Sequence, residues 1–153
     1  MLDRILPSRF DNAYPGLRAA IWLFVPLVLL RLVMGTNMMW HPQDIATTAD
    51  AIPLSGYSGG GAQAVVSLFA QIGLYRLLIA LLTALALIRY RAMIPLLYLL
   101  LLLELLGSKL LDHFYPIAKP AAASGGTGSA LILGILALSL IGFVLSLMPR
   151  RGR

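Results

Sequence analysis

Apolar residues in this chain gather in four long runs, over residues 17–40, 64–88, 92–111 and 129–148, divided by polar or glycine- and proline-bearing segments. A helix needs about 20 apolar residues to cross the hydrocarbon of a bilayer, and each run meets that length. The pattern predicts an all-α fold: an integral membrane four-helix bundle, forming one domain over residues 1–153. The segment ahead of the first run mixes Leu2, Ile5, Leu6 and Phe10 with Asp3, Arg4, Arg9 and Asp11. That mixture suits a short stretch lying at the membrane surface, with Pro7 and Pro15 limiting its helicity.

The separating segments differ in kind. Residues 41–63 contain Pro42, Pro53 and the run Gly56-Tyr57-Ser58-Gly59-Gly60-Gly61, and residues 116–128 contain Lys119-Pro120 and Gly125-Gly126-Thr127-Gly128. Glycine at this density predicts mobile loops in both places. Neither run has a phosphate-loop spacing or its lysine. The turn between the second and third runs is short and holds Arg89 and Arg91.

Composition agrees with a membrane class: 59% of the residues are hydrophobic and only 12% are charged. The formal charge of +6 is distributed by loop. Arg4, Arg9 and Arg18 precede the first run, Arg89 and Arg91 fill the short turn, and Arg150, Arg151 and Arg153 end the chain. Residues 41–63 carry no Lys or Arg at all. Basic loops stay in the cytoplasm, which predicts both termini on the cytoplasmic side of a bacterial inner membrane and argues against nucleic acid as a partner. Trp40, Phe114 and Tyr115 fall at the expected outer border, and Tyr14 and Tyr90 at the inner one, where amphipathic rings belong. Cysteine is absent, which excludes disulfides, thiolate nucleophiles and iron–sulfur clusters. Ala49-Asp50-Ala51 resembles a leader-cleavage site, but it lies far from the N-terminus. Pro26 and Arg31 interrupt the apolar run, so the first helix is expected in the mature protein.

Candidate chemistry lies inside the apolar runs, where Arg31, Arg76 and Glu104 stand on three different helices. A charge in hydrocarbon costs roughly 2.5–3.5 kcal/mol on insertion scales, so it persists where it is paired, hydrated or useful. At 1.5 Å per residue the three lie roughly 13, 18 and 12 Å from the outer ends of their runs, comparable depths that predict a cluster. Residues three and four apart share a helix face. Arg31 therefore sits with Gly35, Arg76 with Gly73, Ala80 and Thr83, and Glu104 with Gly107 and Ser108. Such small neighbours let helices approach closely. Gln71 and Tyr75 add hydrogen-bonding groups beside Arg76.

Two arginines face one glutamate, and arginine does not lose its proton in proteins. Two readings follow: an Arg–Glu–Arg network that locks three helices together, or a site where the surplus guanidinium meets a lipid headgroup, a carboxylate or a quinone oxygen. Lys109, near the end of its run, can snorkel to the interface. The last run has no ionisable residue. Its Ala130/Gly134 and Gly142/Ser146 pairs, with Ser139 between, suit close packing within the bundle or against a second copy. His41, Asp44, Asp112 and His113 gather at the outer face without a metal-ligand spacing, so no metal and no cofactor are expected. No Ser-His-Asp, HExxH or paired-carboxylate pattern marks a catalytic site.

Arg31-Leu32-Val33-Met34-Gly35 on the outer half of a first membrane helix resembles the opening of DoxX-like proteins, small bacterial four-helix membrane proteins. Length, helix count and the short inner turn are similar across most of the chain. Trp40-His41-Pro42-Gln43-Asp44 departs from the glycine and lysine that the family places after this helix. The resemblance implies an accessory membrane protein, in some relatives tied to quinone-dependent sulfur oxidation, and carries over Arg31 alone. The expectation is therefore a non-catalytic accessory subunit or scaffold, with partner subunit, homo-oligomer or membrane lipid as its contacts. The alternatives are a lipid- or quinone-binding protein using Arg31, Arg76, Glu104, Gln71 and Tyr75, and a small transporter or redox-enzyme subunit. Small size and the lack of an inverted repeat stand against a transporter.

Overall fold

The computed structural model describes residues 5–6, 11–14, 16–116 and 127–149. Most of the N-terminal segment, most of the loop after the third apolar run and the last four residues lie outside them. Among the described residues the fold is helical without a strand. Four helices are long and apolar enough to cross a membrane: α1 (Arg18–Trp40), α2 (Gly59–Arg89), α3 (Ile94–Phe114) and α4 (Thr127–Leu147). α1 continues through Pro26. α3 starts at Ile94, after a single 3₁₀ turn over Arg91–Met93. Pro95 then falls in its first turn, where a missing N–H is no loss.

Two expectations about residues 41–63 are corrected. Chain direction breaks at His41, yet helical turns resume over Pro42–Asp44 and Ile45–Ala49, and these pack beside α2. Ala51, at φ 53°, then reverses the chain. The Ile52 N–H reaches the Ala46 carbonyl at 2.8 Å, and both side chains are buried. The glycine run is no loop either. Ser58 caps α2 by accepting from the Gly61 N–H at 3.3 Å, and Gly59, Gly60 and Gly61 form its first turn. A serine cap supplies the local bond that glycine's backbone freedom opposes.

α1 is the centre of the assembly. It packs chiefly against α2 and also against α4, while α3 leans on α4 and touches α2 sparsely. The core lies between α1, α3 and α4, around Phe24, Leu27, Val28, Ile94, Tyr98 and Ile135. Leu78, Leu82, Leu103, Leu110 and Leu133 are each more than half exposed. Apolar surface on that scale does not face water in a monomer; with four candidate spans, it points to a multi-pass membrane protein.

Candidate functional site

The cluster is assembled by the contact between α1 and α2. A Cβ built on Gly35 would lie 2.8 Å from the Leu77 nitrogen, and one on Gly73 would strike the backbone of Met38 and Met39. The two helices thus touch backbone to backbone at both points, in one antiparallel register. Small residues continue the seam, with Ala80, Thr83 and Ala86 buried on the same side of α2. The Thr83 hydroxyl donates to the Ile79 carbonyl at 2.7 Å, so it closes on its own helix.

This register fixes the relative heights of the arginines. Arg76 lies level with Gly35, four residues beyond Arg31, so about 6 Å nearer the Trp40 end. The depth count from sequence placed Arg76 deepest; it is the shallower arginine. The reason is that α2 begins at Gly59 and overshoots the end of α1. Gly73 meets Met39, so the preceding turns of α2 run past Trp40 and lie beside Pro42–Ala49.

Glu104 comes in from α3 and meets both cations. Arg31 Nη2 donates to Glu104 Oε2 at 2.5 Å, and Arg76 Nε stands 4.0 Å from Oε1. The arginines are not equivalent. The Arg31 side chain is 16% exposed and Arg76 is 41% exposed, with Glu104 between them at 33%. Besides the long carboxylate contact, Arg76 donates to the Met38 sulfur at 3.5 Å, a weak acceptor. The surplus positive charge therefore belongs to Arg76. Arg31 and Glu104 form the tight pair, made from the chain's one glutamate.

The remaining candidates separate from the cluster. Gln71 and Tyr75 are exposed, and no hydrogen bond joins them to it. Gly107 meets nothing within 4 Å and Ser108 is exposed, so the small residues expected to bring a neighbour close to Glu104 do not do so. On α4 the packed small residues are Ser139, Gly142 and Ser146, while Ala130 is exposed and Gly134 meets open space. Lys109 pairs with Asp112 at 3.7 Å and His41 lies 3.9 Å from Asp44, all well exposed. His113 stacks edge-on against Phe114. No three His, Asp or Glu residues converge on a metal position among the described residues.

Sequence reasoning missed Tyr98. Its ring tilts against Phe24 with centroids 4.7 Å apart, and its hydroxyl donates to the Ala20 carbonyl of α1 at 2.8 Å. Gly142 of α4 lies flat on that ring, where a Cβ would collide. One buried side chain thus ties α3, α1 and α4 together. The available signal was an aromatic hydroxyl set among leucines inside an apolar run.

No family model, curated protein or solved structure matches this chain.

Proposed function

We propose that this is a non-catalytic accessory subunit or scaffold of a bacterial inner membrane, with both termini in the cytoplasm. Its Arg31–Glu104–Arg76 cluster holds α1, α2 and α3 in one arrangement. The observation that carries this reading is the single carboxylate shared by two guanidinium groups from different helices. Basic residues at one end and the Lys- and Arg-free 41–63 segment at the other support the orientation. The resemblance of residues 31–35 to DoxX-like proteins favours an accessory role.

A second reading has its own observation. Arg76 is the more exposed arginine, and its closest partners are a sulfur and a carboxylate oxygen 4.0 Å away. A lipid phosphate or quinone oxygen reaching α2 would find a charge with unused donors, in a medium where donors are strongly drawn to acceptors.

Stability and retained mass distinguish the two. Glu104→Gln leaves two cations without a counter-charge. Breaking a fully buried pair costs about 3–5 kcal/mol, and partial exposure lowers the expected loss here to about 2–3 kcal/mol. Adding Arg31→Leu should recover most of it. Arg76→Leu should change unfolding by less than about 1 kcal/mol, since its ion pair is long and half open. Native mass spectrometry of protein extracted in a mild amphiphile reads the rest. A co-purifying protein retained by Arg76→Leu supports the subunit, and a bound lipid or quinone lost in that variant supports the second reading. Full stability of Glu104→Gln would sink the locking role.

A further inference from the structure

A second polar–apolar feature lies at the basic end of the molecule, away from the ion-pair cluster. There the first turns of α1 and the last turn of α2 enclose a groove of about 510 Å³. Its wall is Ile21, Trp22, Val25, Leu87 and Ile88, and its rim carries Arg18 and Arg91. Trp22 and Ile88 are among the most exposed large apolar residues, at 76% and 71%. Arg91 Nε donates to the Leu87 carbonyl at 3.1 Å, which folds the side chain back beside the wall. Among the described residues no carboxylate pairs with Arg18 or Arg91.

Charge and wall together select the occupant. A soluble anion would use the arginines and leave the apolar wall bare; an apolar segment of protein would cover the wall and strand two cations. An acyl lipid with a negative headgroup satisfies both. The geometry has the right order along the membrane normal. Both arginines stand at the ends of candidate spans, where headgroup phosphates lie. Val25 is seven residues into α1 from Arg18, about 10 Å toward the membrane middle, which matches the upper part of an acyl chain. Two guanidinium groups also outnumber a single phosphate, so a zwitterionic headgroup, which adds a cation of its own, fits less well.

We propose that this groove binds one anionic phospholipid, its phosphate between Arg18 and Arg91 and an acyl chain along Ile21, Trp22 and Ile88. The site rests on the helices crossing a bilayer and is independent of the role assigned to Arg31, Glu104 and Arg76.

Trp22 makes the site testable, because the chain's two tryptophans lie at opposite ends of α1. In a Trp40→Phe chain, Trp22 is the sole reporter. The protein is reconstituted in phosphatidylcholine vesicles in which a minor fraction is replaced by acyl-brominated phosphatidylglycerol or by acyl-brominated phosphatidylcholine. Trp22 should report phosphatidylglycerol enriched about fivefold or more over its bulk fraction, the factor one interfacial arginine supplies. The enrichment should vanish in Arg18→Gln/Arg91→Gln, with quenching by brominated phosphatidylcholine unchanged as the check that the double variant is still folded and inserted. Trp40, read in a Trp22→Phe chain, should show no preference. Equal quenching of Trp22 by the two brominated lipids would overturn the site, as would enrichment that survives loss of both arginines. Quenching by neither lipid would overturn the membrane reading itself, a separate failure.

Discussion

Two tyrosines near the basic end of the bundle have opposite hydrogen-bonding situations. The Tyr98 hydroxyl donates to the Ala20 carbonyl, while the Tyr14 hydroxyl is buried with no hydrogen-bond partner among the described residues. Tyr98→Phe should therefore lower stability by about 1 kcal/mol, and Tyr14→Phe should raise it by a similar amount, read from unfolding in detergent micelles at neutral pH. Burial pushes the Tyr14 phenol from its ordinary 10.0 up to about 12. The folded state then holds a proton that the unfolded chain releases. Stability is complete below pH 10.0 and falls as pH rises toward about 12. Tyr14→Phe should flatten that fall, and an unchanged alkaline slope would contradict it. At this scale the sequence exposes the expensive residues well, since Arg31, Arg76 and Glu104 stand out against hydrocarbon. It conceals which arginine is surplus, because that depends on the α1–α2 register and not on residue type. Tyr98 was hidden for a related reason: a tyrosine in an apolar run looks like any other large side chain until its partner carbonyl is known.

Glycine changes meaning from one helix to the next. Gly73 lies against the Met38–Met39 backbone, whereas Gly134 meets nothing within 4 Å. Backbone cannot move aside as a flexible side chain can, so Gly73→Ala should separate α1 from α2 and cost about 2–3 kcal/mol. Gly134→Ala should cost nothing and raise stability by up to about 1 kcal/mol, since alanine loses less backbone freedom in a helix. The same unfolding assay compares them, and equal effects would refute the seam. The four apolar runs were legible because lipid demands length and apolarity from every span. The seam was partly legible, in the small residues beside Arg31 and Arg76. Small spacing alone did not separate Gly73 from Gly107 or Gly134, since it marks where helices can approach and not where they do. The run Gly59-Gly60-Gly61 was misread because composition weighs glycine's freedom and overlooks the Ser58 cap that begins α2.

For the whole molecule, the distribution of arginine is the basis of the proposed orientation, and the lack of cysteine makes it easy to test. Single Ser55→Cys and Asn12→Cys variants each introduce one thiol at an exposed position on opposite ends of the bundle. In intact cells with the outer membrane permeabilised, an impermeant maleimide should label Ser55→Cys and spare Asn12→Cys until the inner membrane is opened. The reverse pattern would invert the topology. α2 adds a constraint that charge does not supply. Its 31 residues span about 46 Å, against roughly 30 Å of hydrocarbon, so tilt or protrusion beyond the core must absorb the excess. The flanking turns of Pro42–Ala49 cover part of that extra length.

The stagger of the two arginines has an electrical consequence. A bilayer at rest holds a voltage, and carrying one charge fully across it involves about 2.3 kcal/mol per 100 mV. Arg76 stands about 6 Å outward of Arg31, roughly a fifth of the hydrocarbon thickness, so a positive charge at the two levels differs in energy by about 0.5 kcal/mol per 100 mV. In the proposed orientation, an interior-negative potential draws the Arg76 cation inward and pushes the Glu104 anion outward. The two charges, 4.0 Å apart, are thus pulled in opposite senses. An energised membrane therefore loads the Arg76–Glu104 contact, the longer of the cluster's two ion pairs, and discharging it removes that load.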